Sequence, residues 1–168
     1  MIKLLWAMLG TLGFGIIFNV NKDKLLPVMI GGFLNYLAYY ITFKLTNNIF
    51  LSSALCAVTT SLYSELLALF LKCPTTIFIL TGLIPSVPGS SLFYMMQNLV
   101  LNNSKEALNQ GIITIEVILG IVSGMLFASV IMAIIMQIKR KEITYINLYV
   151  FFFFCKLYFL LILFSFLP

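Results

Sequence analysis

Between Lys72 and Ser91 a membrane-length apolar run is interrupted by three prolines and two glycines, in the order Lys72-Cys-Pro-Thr-Thr-Ile-Phe-Ile-Leu-Thr-Gly-Leu-Ile-Pro-Ser-Val-Pro-Gly-Ser-Ser91. Hydrocarbon cannot hydrogen-bond a free N–H or C=O. A break at membrane depth therefore persists only where other protein or a water-lined cavity takes over those groups. Discontinuous helices of this kind build substrate and ion sites near the midplane of transporters. The plainer alternative is a kink that lets neighbouring helices pack. One proline would suffice for that, whereas Pro85-Ser-Val-Pro-Gly89 combines two with a glycine.

The run belongs in a membrane because the whole chain does. Its 168 residues are 62% hydrophobic and 9% charged, with a mean hydropathy of +1.11, against about one quarter charged in soluble domains. At roughly 20 residues per span, this length holds about five or six spanning helices and no soluble domain. Ten Lys/Arg outnumber five Asp/Glu, but nearly all of these charges fall in the short loops between apolar runs. That is topology information rather than a nucleic-acid surface, and no nucleic-acid partner is expected. Histidine is absent, which removes the usual general base and metal ligand. Cys56, Cys73 and Cys155 lack CxxC spacing and read as small apolar residues. Neither an enzyme nor a bound cofactor is expected.

Lys3 precedes an apolar stretch from Leu4 to Phe18 with no small-x-small cleavage site before Asn19, which reads as an uncleaved first helix over 2–18. Further helices are expected at 25–43 and 49–71, then the broken segment at 75–101 and a long helix at 104–138. Asn103 and Glu106 form a capping-box pattern at its start, and Lys139-Arg-Lys-Glu142 closes it. A last apolar run covers 143–167. The expected fold is an all-α integral membrane protein with five core transmembrane helices, one broken at Pro85–Gly89, plus a sixth C-terminal helix. Residues 1–142 form the membrane domain and 143–168 an extra apolar segment. The long helix would measure roughly 52 Å against a hydrocarbon core of about 30 Å, so it must tilt, bend or protrude, with Gly111, Gly120 and Gly124 as places to bend. If the broken segment crosses, Lys22, Lys24, Lys72, Lys139, Arg140 and Lys141 face Lys3, Lys44 and Lys105 across the bilayer. If it dips and returns, the bias vanishes. Crossing is favoured, with the N-terminus outside.

Pro85–Gly89 divides its segment into half-helices of about 15 and 18 Å, which puts the break near the midplane. Ile84 and Val87 precede prolines and are expected to be extended, Gly89 tolerates positive φ, and Ser90 or Ser91 can cap the second half-helix. The free N–H groups and positive dipole end of that half-helix suit a carboxylate. Pro85, Ser86, Pro88, Gly89, Ser90 and Ser91 are therefore candidate substrate-binding residues. Glu65 lies deep in its helix, where a carboxylate costs about 2.5–3.5 kcal/mol to insert. Ala54, Ala57, Ser61 and Ala68 share its face, and it is the candidate proton-coupling residue. The alternative is that Glu65 reaches the interface near Lys72. Glu116, Gly120 and Gly124 share a face as a candidate helix-packing surface, within this chain or against another copy. Gly31, Gly32, Asn35 and Tyr39 on the second helix, and Ser52, Cys56, Thr59, Thr60 and Tyr63 on the third, suggest interhelical hydrogen bonds. Phe151 to Phe154 read as lipid-facing bulk. Lys156 must snorkel or pair, or else mark its segment as interfacial.

In order along the chain, Gly13-Phe-Gly-Ile-Ile-Phe-Asn-Val20, Ser64-Glu-Leu-Leu-Ala68, Cys73-Pro-Thr-Thr-Ile-Phe78 and Gly82-Leu-Ile-Pro-Ser-Val-Pro-Gly89, the last followed by Tyr94 and Met96, resemble the threonine/serine exporter (ThrE) family. The resemblance covers about residues 7–138 and is to the small membrane half found as a separate YjjB-type subunit. It implies export of a small hydroxy amino acid, or of a dicarboxylate such as succinate, across the bacterial inner membrane. It implies a partner exporter subunit carrying the other half of the transporter, a proton gradient as driving force with Glu65 as carrier, and Tyr94 beside the proline core. The chain departs from the family pattern at Leu69 and Phe70, where a basic residue is common, and at Ser86, where a bulkier apolar residue is common. Residues 143–168 extend past the family's usual end. The rival expectation is a non-transporting membrane scaffold that stabilises a partner subunit.

Overall fold

The computed structural model describes residues 2–139, and the described residues form helices with no strand. The helices are α1 (Ile2–Ile17), α2 (Lys22–Thr46), α3 (Ile49–Leu71), α4 (Thr75–Leu83), α5 (Gly89–Val100) and α6 (Ser104–Lys139), with a 3-10 turn at Ile84–Ser86 between α4 and α5. The expected run over 143–167 and Lys156 lie outside the described residues. Two compact units divide the chain, Met1–Met125 and Leu126–Pro168. The first carries α1 to α5 and the first part of α6. The second, where described, is the continuation of α6 to Lys139.

Four connections turn on a residue in the left-handed region: Asn19, Asn47, Lys72 and Asn102, with φ of 53°, 50°, 49° and 56°. Asparagine tolerates this conformation better than most side chains, so three of the four use it. The Asn47 and Lys72 amides each close their helix by donating to the carbonyls of Phe43 and Ala68. This also explains why α2 exceeds the expected 25–43. Hydropathy stops at charged residues, whereas helical hydrogen bonding continues through them. Asp23 in the first turn and Lys44 in the last suit the helix dipole.

Close approaches hold these helices together. Gly32 of α2 lies against Thr11 of α1, and a Cβ there would collide with the threonine side chain. The Tyr63 hydroxyl of α3 donates to the Pro27 carbonyl of α2 at 3.0 Å. Val20, Val28 and Phe78 form one buried apolar cluster, and Ala57, Ile79, Leu83, Val117 and Ile121 form another. Gly120 of α6 sits against the Phe50 carbonyl and Ser53, and Gly124 against the Ala54 carbonyl and Ala57. Residue numbers rise together along both helices, so α3 and this part of α6 run parallel.

Three helices have the length and hydropathy of membrane spans: Lys22–Thr46, Ile49–Leu71 and Ser104–Ile135. The pair Thr75–Ser86 and Gly89–Val100, bent by 52°, makes a fourth if it counts as one span. The sequence reading expects five core spans. α1, at 16 residues, rises only about 24 Å, which is short of the hydrocarbon thickness.

Candidate functional site

The break in the fourth apolar segment is built differently in detail from the local sequence rules. Val87 is extended, with φ −63° and ψ 129°, as its place before proline requires. Ile84 also precedes a proline, yet it stays helical at φ −49° and ψ −43°, because the 3-10 turn continues directly from α4. Gly89 has no positive φ; the chain turns at Pro88, with φ −77° and ψ 49°. Helix α5 starts at Gly89, so Ser90 and Ser91 lie inside its first turn. The cap position is Pro88, which makes no side-chain cap bond. The expected serine cap is therefore corrected: among the described residues no side chain caps the amides of this turn.

Across the break runs a chain of hydrogen bonds that ties three elements together. The Ser86 hydroxyl donates to Asn35 Oδ1 of α2. Asn35 Nδ2 donates to Thr60 Oγ1 of α3 at 2.8 Å, and Thr60 Oγ1 donates to the Cys56 carbonyl at 2.8 Å. Cys56 Sγ lies 3.4 Å from Ser86 Oγ. Asn35, Thr60 and Cys56 are fully buried, while Ser86 is half-buried, as are Pro85 and Pro88. The approach of α4 to α3 depends on Gly82, where a Cβ would come within 2.8 Å of the Thr60 methyl. The network's amide and hydroxyl groups bond one another and tie the break to α2 and α3.

Of the candidate substrate-binding residues, Ser86 alone is tied into this network. Pro85, Pro88 and Gly89 shape the turn beside it. Ser90 and Gly89 are exposed and Ser91 is half-buried. Tyr94 is exposed on α5, against Phe93 in an edge-on ring pair. Sequence reasoning treats Asn35, Cys56 and Thr60 as interhelical hydrogen-bonding residues and does not join them to Ser86, 51 residues from Asn35. The available signal was an asparagine amid small residues on an apolar helix.

Glu65 lies elsewhere. It is buried, at 6% exposure, nine residues beyond Cys56 on α3. That spacing is about 14 Å along the axis and about 180° around it, so the two groups occupy opposite faces of the helix. Ser61 shares the face of Glu65, and Ser64 lies one turn beyond Thr60; both are buried. Every other buried serine or threonine hydroxyl among the described residues donates to a backbone carbonyl about one turn earlier: Thr11, Thr42, Ser52, Ser53, Thr60, Thr81 and Thr114. Ser61 Oγ and Ser64 Oγ have no hydrogen-bond partner among the described residues. A buried hydroxyl left so costs about 1–3 kcal/mol.

The expected packing surface divides. Gly120 and Gly124 make the approach to α3, whereas Glu116 is exposed, outside that contact. Val117 and Ile121 point into the apolar cluster instead. Helical geometry gives the reason, since the buried stripe of α6 runs through 117, 120, 121 and 124 and leaves 116 at its edge.

Comparison with family models matches residues 3–131 to the threonine/serine exporter, ThrE. The chain belongs to the ThrE family. Comparison with curated proteins and with solved structures finds no match. Membership covers α1 to α5 and most of α6, including the Asn35–Ser86–Thr60 network and the Ser61–Glu65 stripe. The helices of spanning length agree with a membrane transporter family.

Proposed function

We propose that this chain is the membrane subunit of a secondary exporter of small polar metabolites, threonine or serine or a dicarboxylate such as succinate. It works with a second subunit in the bacterial inner membrane. The observation that carries this reading is the hydrogen-bonded tie from Ser86, in the break of an apolar segment, to Asn35 and Thr60 on the neighbouring helices. A packing kink needs no such polar network, and buried polar groups in a membrane are costly unless used. In this reading the substrate meets Pro85, Ser86, Pro88, Gly89 and Tyr94. The uncapped first turn of α5 at Ser90 and Ser91 attracts its carboxylate. Glu65 carries the proton that couples export to the proton gradient.

The parallel packing of α3 and α6 supports a broken segment that crosses the bilayer. Two parallel spans enter from the same side, and the chain between them must therefore return through the membrane. With α1 as an additional short span this gives five core crossings, and the C-terminal apolar segment would add a sixth.

The test is efflux of preloaded labelled serine, threonine and succinate from transporter-deficient cells, with and without the candidate second subunit. Efflux is expected only with both chains, and Glu65→Gln should reduce it at least tenfold while the two chains still co-purify. Unchanged efflux in Glu65→Gln would remove the coupling role. No efflux of any of the three with both chains present would favour a non-transporting scaffold.

A further inference from the structure

We propose that Cys73 and Lys24 form a peroxide-sensitive modification site, where a sulfenic acid made on Cys73 is captured by the Lys24 amine as a reversible Nζ–Sγ crosslink. Lys24 lies in the first turn of α2, and Cys73 in the turn between α3 and α4. Although 49 positions separate them, Lys24 Nζ donates directly to Cys73 Sγ. Among the described residues this amine meets the sulfur and no carboxylate. Cys73 Sγ in turn donates to the Leu71 carbonyl at 3.0 Å, and the residue packs against the cluster of Val20, Val28 and Phe78. Both side chains are half-buried, within reach of a small oxidant. Cys56 provides the contrast: it is fully buried and meets a carbonyl and a hydroxyl instead of an amine.

The thiolate is the form of cysteine that attacks peroxide, and a sulfenic acid condenses with a neighbouring nitrogen. Counted from a thiolate and an ammonium, Sγ attacks one oxygen of hydrogen peroxide. The S–O bond forms, the O–O bond breaks, and the departing hydroxide takes a proton from Lys24 to leave as water. A neutral amine now stands beside the sulfenic acid. Nζ attacks Sγ, the N–S bond forms and the S–O bond breaks, and the hydroxyl leaves with an amine proton as a second water. Sulfur has given two electrons to the peroxide. A thiol reverses the link by attacking Sγ and releasing the amine, and a second thiol frees Cys73 from the resulting disulfide. The link joins α2 to the turn that opens α4 and so restrains the segment leading into the break. Only this last consequence, a brake on transport, rests on the exporter reading.

The full-length chain in lipid nanodiscs is treated with hydrogen peroxide, digested, and read by mass spectrometry without reductant. The wild type is expected to yield a peptide pair linked between Lys24 and Cys73, two hydrogens lighter than the free peptides and separated by dithiothreitol. Its melting temperature should rise by several degrees on oxidation, because the link closes a long loop, and return on reduction. Lys24→Arg keeps the charge but is not a nucleophile. It should abolish the link and raise dimedone labelling of the uncaptured Cys73 sulfenic acid by about fivefold or more. Lys24→Gln serves if that variant does not fold, and Cys73→Ser should remove both signals. A wild type in which Cys73 stays a free thiol, or becomes a sulfinic acid or disulfide with no link to Lys24, overturns the site. Equal dimedone labelling of Cys73 in the wild type and Lys24→Arg does the same. Neither substrate nor second subunit enters the assay. A failed efflux experiment therefore leaves this result standing, and a failure here leaves the exporter reading intact.

Discussion

Helix α3 carries two sets of buried polar side chains, and they are finished to different degrees. On one face Thr60 and Cys56 join Asn35 and Ser86 in a network whose hydroxyls and amide each have a bonded neighbour. Elsewhere on the helix Ser61, which shares the face of Glu65, and Ser64, one turn beyond Thr60, have hydroxyl oxygens unbonded among the described residues. A saturated network has spent its hydrogen bonds on holding the break in place, so its removal should be felt as lost stability. An unsaturated hydroxyl costs stability where it stands, so its removal should leave stability unchanged or slightly higher. Polar residues of similar burial can thus serve opposite ends on one helix.

The largest effect is expected at Asn35→Ala. This removes both interhelical bonds from the saturated centre, each worth about 0.6 kcal/mol on average and up to about 1.7 within membranes. A destabilisation of about 1–3 kcal/mol should lower the melting temperature of the detergent-solubilised protein by several degrees. A melting point equal to the wild type would show that the network carries no structural load. A smaller loss, about 0.6 kcal/mol, is expected for Ser86→Ala, with Ser86→Thr closer to the wild type because it retains the donor. Parity between Ser86→Ala and Ser86→Thr would locate the tie in shape rather than hydrogen bonding. The smallest effect, of opposite sign, is expected for Ser61→Ala. Deleting a hydroxyl that bonds nothing should leave the melting temperature unchanged or slightly raised. A clear loss there would mean that Ser61 belongs with the saturated group, and the contrast between the two groups would fail.

Much of this was legible in the sequence. Helix α3 runs from Ile49 to Leu71, the bounds that hydropathy and loop signals predict, and α6 differs from expectation by one residue at its end. The break at Pro85–Gly89 was legible because proline and glycine act on their own backbone. Details within the break were not. Ile84 follows its helix rather than the rule for residues before proline, and the cap falls to Pro88 rather than to a serine. Local preferences worth a fraction of a kcal/mol yield to the packing of α4 against Thr60 through Gly82.

By itself the sequence determined that this chain lives in a membrane, where its helices lie, and that one apolar segment is broken. Each of these follows from composition or from neighbours a few residues apart. Which polar side chains meet was decided only by the tertiary structure. Asn35 and Ser86 are 51 positions apart, and their contact depends on how α2, α3 and the break pack. Glu65 and Cys56 lie close in sequence yet face opposite ways, because nine residues of helix turn through about 180°. Hydropathy ranks each residue alone, while a site is a relation between residues, and only packing supplies that relation.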